Sequence, residues 1–205
     1  MEKYLRVGGS YFRGQYLPHL LIACLYCGVS GCFMSFSNLN VVQSAKVLEM
    51  YVNFAGILLM TPLLMPEQNR EIWQLEKSKV TPMWQIYLVR LLIALCFVIL
   101  IFTAFPVILE RNDSVFLWDK MWLGGISEMI FLGSIGFAAA AVTNQVVLGY
   151  MLAVIYFVAN SGGRKYFGKL ALFQMMAEKY DFAGWMLGAS VVLIAGAIAI
   201  RERQK

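Results

Sequence analysis

The chain has 205 residues, of which 60% are hydrophobic and 14% charged, and its mean hydropathy is +0.67. Its charged residues cluster between apolar runs, a pattern that excludes an ordinary soluble domain and favours a membrane protein with several spans. The net charge of +5 does not indicate nucleic-acid binding, because the 17 basic residues are scattered and form no basic stripe.

Six apolar runs predict a single all-α membrane domain over residues 1–205, with six transmembrane helices. An aromatic and basic segment at 1–19 comes before them and is typical of a helix at the membrane interface. The fourth run is rich in glycine and alanine, which predicts close packing of helix backbones. The fifth is short for a full crossing. The predicted spans are residues 20–36, 47–65, 83–109, 121–142, 146–159 and 182–200.

Residues 160–181, between the fifth and sixth runs, are neither clearly soluble nor clearly membrane-spanning. Glycines interrupt the segment and its later part is amphipathic, so we predict a re-entrant or interfacial helix on the outer side of the membrane. Six crossings place both termini on one side. We assign that side to the cytoplasm because a small majority of the basic residues lies there.

The longest polar interruption of the chain begins at residue 66, and residues 66–82 form its loop. Glu71 favours the first turn of a short helix and Lys79 favours the last, so we predict a helix that docks onto another protein. The alternative is a solvated loop with one helical turn. In the docking helix, bulky anchors would enter a groove and charges would orient the contact at its rim. The anchors would be Ile72, Trp73 and Leu75, and the rim would be Glu71, Glu76 and Lys79.

Residues with catalytic potential are sparse. The chain has one histidine, His19, and four cysteines that all lie inside apolar runs. It contains no G-x-x-x-x-G-K-[ST] phosphate loop, so we do not expect it to bind ATP. The sequence therefore predicts no enzyme activity, and no metal or cofactor bound by this chain.

Two charged residues inside apolar runs are candidates for a functional role. A charge in the hydrocarbon costs about 2.5–3.5 kcal/mol on insertion scales, so it normally faces a partner or a cavity. Glu128 is either a substrate or proton contact or a structural carboxyl held by a neighbouring helix. Arg90 has the same two interpretations, and extension of its side chain to the cytoplasmic surface is the easier one. Glu49 lies close enough to a predicted span end to need no special explanation.

The run of residues 63–92, LLMPEQNREIWQLEKSKVTPMWQIYLVRLL, resembles the first cytoplasmic loop of ABC-2 type permeases, the membrane subunits of ATP-binding-cassette exporters. In that family an acidic, polar loop after the second span forms a coupling helix. A turn with small residues and proline follows, and then a third span with an early basic residue. The matching positions here are Glu67, Glu71, Leu75, Ser78, Lys79, Thr81, Pro82 and Arg90.

The resemblance implies a function in the cell membrane. Two permease subunits, identical or paired with a sister chain, would form a pathway for an amphipathic peptide, an antimicrobial compound or a lipid. Separate ATPase subunits would hold ATP and Mg²⁺ and would bind the coupling residues, and Glu128 and Arg90 would lie at the pathway or the subunit interface. The coupling residues would be Glu67, Glu71, Ile72, Trp73, Leu75, Glu76 and Lys79. The competing hypotheses are an immunity or sensor protein that does not transport its ligand, and a membrane enzyme acting on lipid.

Overall fold

The computed structural model describes residues 9, 11–33, 36–68 and 83–203, and the regular structure of this part of the chain is all helical, as predicted. By length and apolar composition, the second to sixth helices are each suited to cross a membrane. The first has 17 residues. In chain order the helices are α1 (Leu17–Phe33), α2 (Val41–Gln68), α3 (Met83–Arg111), α4 (Trp118–Thr143), α5 (Val146–Tyr166) and α6 (Ala183–Arg203).

The start of α1 differs from the prediction. No break separates an interfacial segment ending at residue 19 from a span beginning at 20, because a π-helical turn, Phe12–Tyr16, runs directly into α1. Pro18 explains the wide turn, since proline has no N–H and its ring crowds the carbonyl four residues earlier. The remainder of the predicted interfacial segment lies largely outside the described residues and stays a prediction.

Helix α2 begins six residues earlier than the predicted start at 47, and the reason is a local cap. The Asn40 side chain accepts a hydrogen bond from the Gln43 N–H at 2.9 Å, and the Gln43 side chain accepts one from the Asn40 N–H at 3.1 Å. This reciprocal capping box satisfies two N–H groups that a helix start otherwise leaves unpaired. Gln43, Ser44 and Lys46, which precede the predicted start of the span, therefore belong to the first turns of α2.

Contacts between loops place the α1–α2 and α3–α4 connections at one end of the bundle. The Asn38 N–H donates to the Asn112 carbonyl at 3.0 Å, and the Val115 N–H donates to the Leu39 carbonyl at 3.0 Å. The α1–α2 loop therefore lies beside the α3–α4 loop, at what we call the Asn40 end of the bundle. At the other end, which we call the Gln68 end, α2 and α6 finish and α3 begins.

Helix α4 lies at the centre and packs against α2, α5 and α6. An added Cβ at Gly133 would lie 2.7 Å from the Gly56 carbonyl oxygen of α2, and one at Gly149 of α5 would lie 2.5 Å from the Gly136 carbonyl oxygen. These distances are too short for any side chain, so the predicted close packing of the fourth run is confirmed. Large apolar side chains on the outer helices point away from the bundle, among them Leu92, Leu100, Ile155, Val191 and Val192.

Helix α5 is longer than the predicted span 146–159 and reaches Tyr166 through a final 3₁₀ turn. The amide of Asn160 permits the extension, because it donates to the Tyr156 carbonyl at 2.8 Å and accepts from the Leu172 N–H at 2.9 Å. The rest of the 160–181 segment forms short 3₁₀ turns at Gly168–Leu170 and Met175–Ala177 and not the predicted re-entrant or interfacial helix, while its position on the outer side of the membrane stays a prediction. The other predicted spans agree with α3, α4 and α6 within about one helical turn.

Candidate functional site

A buried group of charged and polar side chains joins the helices at the Gln68 end. Glu67 Oε1 lies 2.9 Å from Arg90 Nη1, and Glu67 Oε2 lies 2.7 Å from Arg201 Nη2. The three side chains are at most 5% exposed. One carboxylate at the end of α2 thus sits between guanidinium groups of α3 and α6. We call this group, with Tyr87 and Asn144, the charge cluster.

Neighbouring polar groups complete the charge cluster. The Tyr87 hydroxyl donates to Glu67 Oε2 at 2.7 Å, and Arg201 Nη1 donates to Asn144 Oδ1 at 2.6 Å. Arg90 Nη1 also donates to the Leu63 carbonyl at 3.3 Å. Hydrogen bonds to charged groups are the stronger class in proteins. The cluster therefore fastens α2, α3, α6 and the α4–α5 turn to one another.

Local backbone structure positions two members of the cluster. Asn144 ends α4 in the left-handed conformation, with φ of 55°, which asparagine tolerates better than most residues. Arg201 lies in the last turn of α6, where a cation is favoured by the helix dipole. The Arg90 guanidinium also lies over the Tyr11 ring, 5.0 Å from its centroid, at a distance typical of a cation–π contact.

The structure brings Glu67 and Arg90 together, and it corrects the easier interpretation of Arg90. That side chain does not extend to the surface but is buried against Glu67. Removing one partner of a buried ion pair typically costs about 3–5 kcal/mol, because the other charge is left buried without compensation. The charge cluster therefore holds the end of α2 firmly against α3 and α6, directly before residues 69–82.

Two glutamates form a second buried polar site toward the Asn40 end, which we call the glutamate pair. Glu128 of α4 is fully buried and lies beside Glu49 of α2. The Asn53 side chain donates from Nδ2 to Glu128 Oε2 at 2.8 Å. Glu49 accepts hydrogen bonds from the Met175 N–H at 2.6 Å and the Met176 N–H at 3.0 Å. The pair thus connects α2 and α4 to the segment between α5 and α6.

The interpretation that Glu49 needs no special explanation because it is near a span end is wrong, since α2 starts at Val41 and Glu49 lies buried two turns inside the helix. Sequence reasoning also missed Arg201, which was given no role. The signal that could have found it is the position of Glu67 beside an apolar run, since a buried carboxylate requires donors. The remaining predicted coupling residues lie outside the described part of the chain and stay predictions: Glu71, Ile72, Trp73, Leu75, Glu76 and Lys79.

Comparisons with protein families, with curated proteins and with solved structures find no match to this chain. Within residues 11–33, 36–68 and 83–203, no group of three or more histidine, cysteine, aspartate or glutamate side chains is placed to hold a metal ion. The function is therefore inferred from the helix arrangement and the two buried polar sites.

Proposed function

We propose that the chain is the permease subunit of an ABC-2 type exporter in the cell membrane, with six spans and both termini in the cytoplasm. Five helices have the length and composition of membrane spans. The one remaining span of the proposal is the first helix, α1, whose 17 residues are at the lower limit for crossing a bilayer. The preceding turn, Phe12–Tyr16, lengthens it at the Gln68 end. In this orientation the Gln68 end faces the cytoplasm.

One observation supports the proposal most strongly, and it is the position of Glu67. This residue is next to the last described residue of α2, and the predicted coupling stretch begins directly after it. Its carboxylate is tied to α3 through Arg90 and to α6 through Arg201. A force applied to residues 69–82 would therefore act on three helices at once, which is what a coupling element requires.

The proposed mechanism assigns the chemistry to a partner. ATPase subunits hold ATP and Mg²⁺ and dock on the segment that contains Ile72, Trp73 and Leu75. Their ATP-driven association displaces that segment, and the charge cluster transmits the displacement to α2, α3 and α6. A second permease subunit, a copy of this chain or a sister chain, completes the pathway for an amphipathic cargo.

Glu128 is interpreted from the sequence either as a substrate or proton contact or as a structural carboxyl held by a neighbouring helix. Its geometry favours the structural role. Its side chain is fully buried, and its hydrogen-bond donor, Asn53, belongs to the same chain. A residue in that position can hold α2 against α4 without contacting cargo. We therefore assign Glu128 a positioning role within the proposed permease. Arg90, which is bound to Glu67, has a coupling role.

The test is retention of an ATPase by the purified chain. The double change Ile72→Ala with Leu75→Ala removes two predicted anchors, and truncating a central anchor commonly costs about 2 kcal/mol, or roughly thirtyfold in affinity. We expect the wild-type chain to purify from its native membrane with a protein that contains a phosphate-binding loop and hydrolyses ATP. The double variant should insert normally and lose that protein.

A matched control is Val115→Ala with Leu117→Ala, which truncates two exposed apolar side chains at the Asn40 end. This variant should keep the ATPase, because in the proposed orientation its changes face the outside. Retention of the ATPase by the Ile72→Ala, Leu75→Ala variant, with unchanged ATP hydrolysis and transport, would show that residues 69–82 are not the coupling element. Absence of any ATPase with the wild-type chain would favour the immunity or sensor alternative.

A further inference from the structure

An open apolar groove runs along the outside of the bundle between α4, α5 and α6, with a cavity volume of about 940 Å³. This volume is in the range of ligand sites, which span roughly 300–1,000 Å³. Its wall is a series of aromatic rings: Phe131 lies 5.7 Å from Tyr156, and Tyr156 lies 5.2 Å from Phe167, between ring centroids. The Tyr156 hydroxyl donates to the Leu170 carbonyl at 2.6 Å. This bond fixes the edge of the groove formed by residues 166–170, which we call the rim.

The floor of the groove is the surface of α6, where glycines leave the space open. Nothing lies within 4 Å of a Cβ added at Gly184 or Gly188. The groove extends from Gly184 to Leu193 along this helix. At 1.5 Å per residue that is about 13 Å, close to the thickness of the hydrocarbon in one leaflet of a bilayer, about 15 Å. The groove is therefore about as long as the part of one acyl chain that lies in a leaflet.

A basic pocket lies next to the groove, because residues of the 164–171 stretch line both. It has a volume of about 270 Å³ and its lining includes Arg164, Lys165 and Lys179. A water molecule occupies about 30 Å³ in the liquid, so a phosphate group fits this space easily. Lys169 lies on the groove side, with its Nζ 4.6 Å from the centroid of the Trp185 ring. Positive charge thus flanks the rim at which an acyl chain would leave the groove.

We infer that this face of the protein is a binding site for one anionic membrane phospholipid. One acyl chain lies in the groove over Gly184 and Gly188, against the aromatic wall. The phosphate lies at the rim, near Lys169 and the basic pocket. The groove is about as long as one leaflet is thick, and cations lie at its rim. It therefore matches an anionic lipid in both shape and charge. The inference needs only that the helices lie in a membrane, and it does not depend on the proposed ATPase.

A helix of a second copy is the competing occupant, because Gly184 and Gly188 have the four-residue spacing of small residues at helix–helix contacts. A docked helix would use the small residues but would not require the cations at the rim. Dependence on the charge of the lipid headgroup therefore separates the two occupants.

The experiment uses the full-length chain reconstituted in phosphatidylcholine vesicles that contain phosphatidylglycerol brominated on its acyl chains. Bromine quenches tryptophan fluorescence at contact, and the difference between wild type and Trp185→Phe isolates the signal of Trp185. We expect Trp185 to be quenched at a much lower mole fraction of brominated phosphatidylglycerol than of brominated phosphatidylcholine. Replacing Lys165 or Lys169 with glutamine should lower the apparent affinity for phosphatidylglycerol about fivefold for each lysine removed.

The matched steric variants are Gly188→Leu, which fills the groove, and Gly196→Leu, which adds the same side chain farther along α6, also into open space. Gly188→Leu should abolish the preferential quenching and Gly196→Leu should preserve it. Equal quenching by the two brominated lipids in the wild type would overturn the inference. If Gly188→Leu instead dissociates a dimer of the chain and the lysine variants change nothing, a second copy occupies the groove and the lipid site is disproved.

Discussion

Glu67 and Arg201 are 134 residues apart in the chain, and their carboxylate and guanidinium groups form a buried ion pair with an N–O distance of 2.7 Å. The pair joins the end of α2 to the end of α6. Glu67 also binds Arg90 at 2.9 Å, so one carboxylate connects α2, α3 and α6. In a membrane the hydrophobic effect does not hold helices together, and a buried polar contact of this kind contributes specificity as well as stability.

The first prediction concerns this ion pair. Arg201→Met should lower the free energy of unfolding by about 3–5 kcal/mol, because Glu67 loses a donor in a buried site. Thermal unfolding in a mild detergent would measure the loss. Arg203→Met is the control, since Arg203 is exposed on the same helix and should change the stability little. If Arg201→Met matches the control, the pair contributes nothing measurable and Glu67 is held by Arg90 and Tyr87 alone.

The second prediction concerns the close approach of α2 and α4. Gly133→Ala should destabilise the protein by about 1–3 kcal/mol, because the added methyl group meets the Gly56 carbonyl and must push the helices apart. Gly28→Ala adds the same group to α1, where nothing lies within 4 Å, and should be neutral or slightly stabilising. Equal stability of the two variants in an unfolding experiment would contradict the packing of α4 described above.

The third prediction concerns Glu49, which holds the segment between α5 and α6. Glu49→Ala removes the acceptor of the Met175 and Met176 amide protons. Two hydrogen bonds are lost, each contributing about 0.5–1.5 kcal/mol, so these amides should exchange with solvent at least about fivefold faster in the variant. Hydrogen exchange measured by mass spectrometry would detect the change. Glu178→Ala, an exposed change in the same segment, should leave the exchange of both amides unaltered.

The fourth prediction concerns topology. In a background without the native cysteines, cysteine at Ser161 or Lys179 should react with an impermeant thiol reagent added to intact cells. Cysteine at Gln145, which is exposed at the opposite end of the bundle, should react only after the membrane is opened. The reverse pattern would invert the proposed orientation and place residues 69–82 outside the cell. The native cysteines are Cys24, Cys27, Cys32 and Cys96.

The helical class and the positions of most helices could be predicted because apolar run length directly reflects the thickness of a bilayer. The boundaries failed where a polar residue satisfies its own hydrogen bonds within the helix. Asn40 caps α2 and Asn160 continues α5, and in a plain hydropathy pattern both look like loop residues. Composition alone does not show whether a polar side chain will find a local partner.

The sites were harder to predict than the helices. Arg90 stood out because it is a charge inside an apolar run, and Glu67 because it lies in the stretch that resembles a coupling loop. Arg201 did not, since a basic residue in the last turn of the last helix usually faces water or headgroups. Its pairing with Glu67 depends on which helices become neighbours, and nothing in the local sequence of either residue specifies that. Glu49 was missed for a different reason, because an error of six residues in the start of α2 placed it at a surface.

The hydrogen bonds between the α1–α2 and α3–α4 loops have a mechanical consequence. They join the two helical hairpins, α1–α2 and α3–α4, at the Asn40 end, so a tilt of one hairpin against the other about that end would move the Gln68 ends the most. Residue 67 of α2 lies roughly 40 Å away along the helix, at 1.5 Å per residue, so a tilt of about 5° displaces it by about 3.5 Å. That displacement is larger than the tolerance of a hydrogen bond. A tilt of this size between the hairpins would therefore require the Glu67–Arg90 ion pair to break, and the intact pair makes the two hairpins move together at the Gln68 end.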